Sequence, residues 1–477
     1  MADRAHPLSF EPSNVGRLYT QMGVAETLID ADHQGAVRPG LATAWTRSDD
    51  GLEWRFTLRP AARFHDGSAV TPAAVVSALE RARKRAGVFD FLSVEGIAEE
   101  GEKVLIKLRS PSTLVLPVLA NFANQILAPA SFDAEGGAIG VVGSGPYKVR
   151  STTEQEVTVD FWEGWSGPRP QVLRARYISA GRAETRAALA ESGQADIVIG
   201  LDTAGETRLT NRPDVKVVKV PSPRTIYLKV NSGHPFLNDP RARRALSLAI
   251  DRQGIASGLL QDPQRVADQL MPPSITSWRQ VPIEPLRTDP VEARKLLAEL
   301  GWRPGPDGIL ERGGRRFSLN MLCPTAEPEV PLIGSALQQQ LRSIGVEIKV
   351  QITSMAQTPA GHNDGTLQLA LVDRGFLLIP DVLGTLIRDY TNGGGETGAM
   401  GWRNPVVDEA LDALAAGVDD ARVGPMRAQV LRILQDELPI IPVCFNPRNG
   451  AISKRIENAT VDPLERSYGL DQIRWRS

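Results

Sequence analysis

Residues 37–82 read VRPGLATAWTRSDDGLEWRFTLRPAARFHDGSAVTPAAVVSALERA, and this stretch packs three unlike elements into one short series. Glu53-Trp54-Arg55-Phe56-Thr57-Leu58-Arg59 alternates apolar and polar residues after Asp49-Asp50-Gly51, the pattern of a half-buried strand launched from a turn. His65-Asp66-Gly67-Ser68 turns the chain again. Thr71 then precedes Pro72 and a run in which Val75, Val76, Leu79 and Ala82 recur at helical spacing. Thr71 is thus expected to cap a helix whose first position is Pro72. The order is strand, turn, strand, turn, helix.

Further motifs follow in a fixed order. They are Ser144-Gly145-Pro146-Tyr147, Asp160-Phe161-Trp162-Glu163-Gly164, Ser192-Gly193-Gln194-Ala195-Asp196-Ile197 and Leu228-Lys229-Val230-Asn231. After them come Pro235 to Arg252 (PFLNDPRARRALSLAIDR), Ala293 to Trp302 (ARKLLAELGW), Leu341 to Val350 (LRSIGVEIKV) and Asn404 to Leu411 (NPVVDEAL). Together they resemble the extracytoplasmic solute-binding proteins of the peptide/nickel class, bacterial solute-binding protein family 5, which feed ABC importers. Spacing is closest to the nickel-binding branch, through Val266 to Ser274 (VADQLMPPS) and Leu127-Ala128-Pro129. The resemblance implies an α/β, two-lobed periplasmic-binding-protein fold with two hinge-crossing segments and an extra β-rich subdomain in the first lobe. It also implies an ABC permease as partner.

Composition is consistent with this. A chain of 477 residues calls for two or three domains, and 42% hydrophobic with 23% charged residues is ordinary for a globular protein. A net charge of −2 argues against a nucleic-acid partner. The longest apolar runs, Leu114 to Leu119 and Leu438 to Phe445, are far below a membrane span. Met1 to His6 lacks the pattern of a secretory leader, whereas the resemblance implies a periplasmic protein whose precursor carries one. Cys323 and Cys444 sit in separate apolar strand-like runs, which favours two buried thiols over one disulfide; their spacing fits no zinc site. No cofactor is expected, and the chain is expected to be a monomer.

The expected division is lobe I over 1–227 and 454–477, with its β-rich part at about 37–149, and lobe II over 228–453. Thr225 to Asn231 reads as a strand crossing to the second lobe, and Val443 to Ser453 as the return. Two crossings make a hinge, and a cleft between lobes encloses a ligand on closure.

Catalytic patterns are lacking. His6, His33, His65, His234 and His362 form no paired metal motif. His65 reads as a turn residue bonded to backbone, and His234 and His362 as exposed loop residues. No nucleophile elbow, phosphate loop or dinucleotide fingerprint is present. Asn392-Gly393-Gly394-Gly395-Glu396 reads as a flexible loop. The chain is read as a binding protein, with no catalytic and no metal-ligating residues.

Departures from the family bear on the ligand. In peptide-binding relatives a carboxylate pairs with the peptide ammonium; the resemblance places Ile379 at that position, within Asp373 to Asp381, so Asp373 or Asp381 would have to substitute. In the nickel branch a histidine approaches the metal, and here the position falls near Gly394. The arginine before the Ala-Pro pair falls among Phe122 to Gln125, with no arginine present, and the pocket aromatics fall at Phe376 and near Ala86. The candidate ligand-binding set is Tyr19, Arg83, Phe89, Phe376, Asp381, Arg388, Tyr390, Asn392, Trp402 and Arg403. Arg388 and Arg403 suit a carboxylate or phosphate, while Tyr390 and Trp402 offer stacking faces. The expected ligand is a small polar organic molecule: opine-like, amino-acid-derived or a short peptide. A nickel or other metal chelate is the alternative; a sensing module or a hydrolase is the reading from another class.

Overall fold

The computed structural model describes residues 1–3, 10, 16–85, 87–279, 282–325, 327–377 and 379–476. Ala86, Leu378 and residues 4–6, singled out above, lie outside them. The chain forms two compact units: 1–220 with 377–382 and 448–477, and 221–376 with 383–447.

In the first unit the quoted stretch forms the elements its pattern predicts. Strands Ala42–Arg47 and Glu53–Leu58 pair antiparallel, and Val94–Glu100 and Lys103–Leu108 complete a four-stranded sheet. Trp54 and Phe56 are buried because they share one face of the alternating strand. The Thr71 hydroxyl accepts the Ala74 N–H at 3.2 Å, and helix Pro72–Arg83 buries Val75, Ala78, Leu79 and Ala82. His65 ties its turn to the distant Gly145 carbonyl through Nε2 at 3.0 Å; burial pushes its pKa down to about 4. Beside this sheet stands a seven-stranded mixed sheet, in the order Tyr147–Thr152, Glu156–Phe161, Arg174–Ser179, Ala2–Asp3, Ile197–Ile199, Arg448–Ser453, Val215–Val220.

The second unit is built on a five-stranded sheet in the order Glu347–Thr353, Ser318–Pro324, Leu369–Gly375, Arg224–Val230, Ile440–Phe445. The first three strands are parallel; Arg224–Val230 runs antiparallel to both of its neighbours. Ile226, Leu228 and Val230 point into a core with Leu246, Leu319, Met321, Ile333, Leu337 and Val443. Trp302 and Phe317 stack at 4.3 Å in the same core.

The division between units differs from the expected one at both crossings. Arg224–Val230 is a central strand with all its ladder partners in the second unit, so a boundary at 227/228 would cut a sheet; the change falls at 220/221. The return is split at 447/448, with Ile440–Phe445 in one unit and Arg448–Ser453 in the other. A short excursion, 377–382, belongs to the first unit.

Two histidine readings are also corrected. His362 lies on helix Gln357–Asn363 and His234 accepts the Phe236 N–H at Nδ1; both are half-buried rather than exposed. Cys323 and Cys444 are unpaired and buried. Trp162 and Trp302 are packed in the interior with Trp54.

Candidate functional site

In open α/β sheets ligands bind outside the carboxyl ends of the strands. In the second unit that edge carries the ends of Ser318–Pro324, Glu347–Thr353, Leu369–Gly375 and Ile440–Phe445, and the start of Arg224–Val230. In the first it carries the ends of Arg174–Ser179, Ile197–Ile199 and Val215–Val220 and the start of Arg448–Ser453. The crossings at 220/221 and 447/448 and the one at 376/377 therefore leave each unit from its carboxyl edge.

Charged groups line both edges. In the second unit Arg224 donates to Asp373 Oδ2 through Nε at 3.0 Å and Nη2 at 2.8 Å, and Asn446 Nδ2 donates to the same oxygen at 3.1 Å. Arg265 donates to Asn446 Oδ1 at 3.2 Å, to the Phe445 carbonyl at 2.9 Å, and to both carboxylate oxygens of Glu329 at 3.0 and 2.6 Å. Asp373 is thus matched by an arginine already, although its buried Oδ1 has no hydrogen-bond partner among the described residues. Burial pushes the neighbouring Cys444 thiol up to about 12, which keeps it an inert neutral group. In the first unit Arg448 pairs with Glu465, Tyr468 donates to Asp3 at 3.0 Å, and Asn449 Nδ2 donates to the Leu201 carbonyl at 2.8 Å. Of these groups Asp373 was weighed from sequence, as a substitute ammonium partner; its pairing with Arg224 was not, because the two stand 149 residues apart.

The sequence candidates of the second unit gather around the C-terminus of helix Val382–Tyr390 and the glycine loop after it. Arg388 is half-buried, Asn392 is exposed in the left-handed region at φ 54°, and Tyr390 is fully buried with no hydroxyl partner among the described residues. Tyr390 meets Trp402 edge to face, with ring centroids 6.3 Å apart. The Trp402 indole donates to Glu437 Oε2 at 2.6 Å, and exposed Arg403 donates to Asp408 at 3.1 Å. Phe376 is a core residue whose carbonyl accepts the Thr385 hydroxyl at 2.8 Å. Arg388 and Asn392 are the members of this group that are neither buried nor joined to a carboxylate in the bonds described above; Asn392 Nδ2 donates to the Thr391 hydroxyl at 3.5 Å.

The glycine loop is not the flexible tether its composition suggested. A Cβ at Gly394 would lie 1.9 Å from the Ala399 carbonyl oxygen, one at Gly395 2.5 Å from that of Arg388, and one at Gly398 2.2 Å from that of Asp389. Glycine is required there by close backbone approach. Beneath the loop Arg374 and Asp389, both buried, pair at 2.7 and 3.0 Å. Tyr227 donates to the Thr397 carbonyl, and Lys229 Nζ donates to the carbonyls of Gly395, at 3.0 Å, and Gly398.

The first unit holds the remaining candidates, spread over separate elements. Tyr19 is buried beside Phe10, and burial raises its pKa against the opposing effect of Thr152. Arg83 is held by Glu80 at 2.8 Å within its own helix, and Phe89 is buried in a short 3₁₀ turn. Asp381 is half-buried, two residues beyond buried Ile379. Among the described residues no group of three or more His, Cys, Asp or Glu side chains is placed to hold a metal ion.

The match that decides the family spans residues 36–396, which fit the model of the bacterial extracellular solute-binding proteins, family 5. The chain belongs to this family. It is 28% identical over 338 residues to the glutathione-binding protein GsiB of Salmonella typhi, a match covering 69% of this chain and 63% of that relative's length. Its fold is that of NikA from Brucella suis in complex with Fe(III)-EDTA, with a TM-score of 0.89 at 20% identity over 100% of this chain and 99% of that one. AgaA of A. tumefaciens R10, in complex with agropinic acid, superposes with a TM-score of 0.84 at 20% identity over 100% and 98%. These structural likenesses establish the two-lobed α/β periplasmic-binding-protein fold anticipated from the sequence. No helix among the described residues is long and apolar enough to cross a membrane.

Proposed function

We propose that this chain is the solute-binding component of an ABC importer, working as a periplasmic monomer without enzymatic activity, and that its ligand is a small polar organic molecule. The observation that carries this reading is the polar lining of both carboxyl edges at the points where the chain passes from unit to unit. Capture follows from hinge motion at the crossings, with affinity set by how far the ligand favours the closed state.

Within that class the residues favour an opine-like or otherwise N-substituted amino-acid ligand, or a short peptide, bearing a carboxylate. Arg388 supplies a guanidinium for the carboxylate and Asn392 an exposed amide. Asp373 is matched by Arg224, so it does not stand ready as the partner of a free ammonium. A metal chelate is the second reading, favoured by the fold match to a chelate-bound relative; its ligand would have to supply the metal's donors itself, because the described residues offer no such cluster. A thermal-shift series with agropinic acid, glutathione and Fe(III)-EDTA separates the readings. A rise in Tm with agropinic acid or glutathione supports the first and one with the chelate alone the second. A series without any shift, repeated by calorimetry, counts against this set of ligands.

A further inference from the structure

We propose that Lys229 is a positioning residue: it carries the glycine loop on two carbonyl hydrogen bonds, and its proton sets how firmly the loop is seated. Lys229 lies on the interior strand Arg224–Val230, where Ile226, Leu228 and Val230 pack into the core and the alternate residues Tyr227 and Lys229 meet the glycine loop. The side chain is 0% exposed, and its Nζ bonds to the carbonyls of Gly395 and Gly398, with no carboxylate in ion-pair contact among the described residues. A buried cation so placed is unusual, since a buried charge is normally paired.

The donor count favours the neutral amine. An ammonium has three N–H groups and would leave one unmet, whereas an amine has two, which the two carbonyls satisfy. The surroundings agree with this. Tyr227 on the same strand and Tyr390 on helix Val382–Tyr390 have their pKa values pushed well above the usual phenol value by burial, and so stay neutral. Asp389 on that helix is held by Arg374 of the adjacent strand, Glu396 belongs to the loop, and His362 of helix Gln357–Asn363 has its pKa pushed below the usual 6.5, mainly by burial. Burial brings Lys229 down from 10.5 to about 7, against the weaker opposing pull of Asp389 and Glu396.

The sign follows from linkage. The lowered value belongs to the seated loop, while a lifted loop returns Lys229 to water and toward 10.5, so the lifted form binds the proton more tightly. Lifting is therefore suppressed as pH rises from 7 toward 10.5 and levels off below about 7. These values give about a fivefold fall in the opening equilibrium between pH 7 and pH 8, and about a tenfold fall per unit above that. The consequence for binding rests on the reading of Arg388 and Asn392 as ligand contacts; the loop's own response does not.

The test is amide hydrogen exchange in the segment 391–400 from pH 6 to 9, corrected for intrinsic exchange, on the ligand-free full chain. The expected result is that slope in the wild type, a flat profile in Lys229→Met, and fast, pH-independent exchange in Lys229→Arg, whose charge does not titrate. A flat wild-type profile, or a slope retained in Lys229→Met, overturns the proposal. Should the variants not fold, a ¹³Cε titration of the lysines in the wild-type chain decides. One resonance titrating near neutrality supports the proposal, and titration of every lysine near 10.5 overturns it. Because no ligand is present, this outcome is independent of whether the binding site has been placed correctly.

Discussion

At the scale of residues, the energetics concentrate in a few buried polar groups with distant partners. Arg374 and Asp389 are the clearest case: both are buried and joined by two hydrogen bonds. Removing one partner strands the other's charge, so Asp389→Ala is expected to cost about 3–5 kcal/mol in urea unfolding, whereas Arg403→Ala, an exposed partner of Asp408, should cost less than about 1 kcal/mol. His65 gives a prediction in pH. Its folded pKa, about 4, lies below the ordinary 6.5, so its contribution is fully present above pH 6.5 and is lost as pH falls toward 4. The loss is at most about 3 kcal/mol, and His65→Asn should flatten that part of the stability profile. Such groups were poorly legible in the sequence. Lys229 stood in a recognised motif, but a lysine in a strand is ordinarily read as facing water, and only the two-sided burial of that strand reverses the reading. The pairing of Arg224 with Asp373 has no local signal at all.

At the scale of elements the sequence was far more telling. The stretch 37–82 formed its strands, turns and helix where alternation, turn residues and the Thr71-Pro72 start placed them, because those signals are local and physical. Thr71→Ala is expected to lower stability by about 1 kcal/mol, measured by thermal unfolding, since the Ala74 N–H then loses its acceptor. The glycine run shows the limit of local reading. Glycine signals either freedom or close approach, and three neighbouring carbonyl oxygens decide for the second. Gly398→Ala, which drives a methyl into the backbone of Asp389, is expected to raise amide exchange across 391–400 and lower stability, whereas Gly393→Ala meets no atom within 4 Å and carries only the strain of its φ of 91°. The larger effect should belong to Gly398→Ala. The candidate site was legible only as a grouping: Arg388 to Arg403 fall at one helix end and the loop after it, whereas the commitment of Trp402 to Glu437 and the burial of Tyr390 were not readable, since both depend on helices joined only in three dimensions.

At the scale of the molecule, the chain is two α/β units whose connections leave from the carboxyl edges, the part of such sheets that holds ligands. The changes of unit at 220/221 and 447/448 stand seven and six residues from the expected 227/228 and 453/454, and the excursion 377–382 was not anticipated; a strand is kept whole by its ladder partners, so the chain changes unit in the turns that flank it. The central claim is that this molecule captures a small polar organic solute. Native mass spectrometry of the purified protein, set against the same sample denatured, tests it most directly, because a closed binding protein retains its ligand. The account predicts a bound mass, released on denaturation, of a small carboxylate-bearing organic molecule. A chain that stays at its bare mass, also after incubation with opines, short peptides and metal chelates, would contradict it.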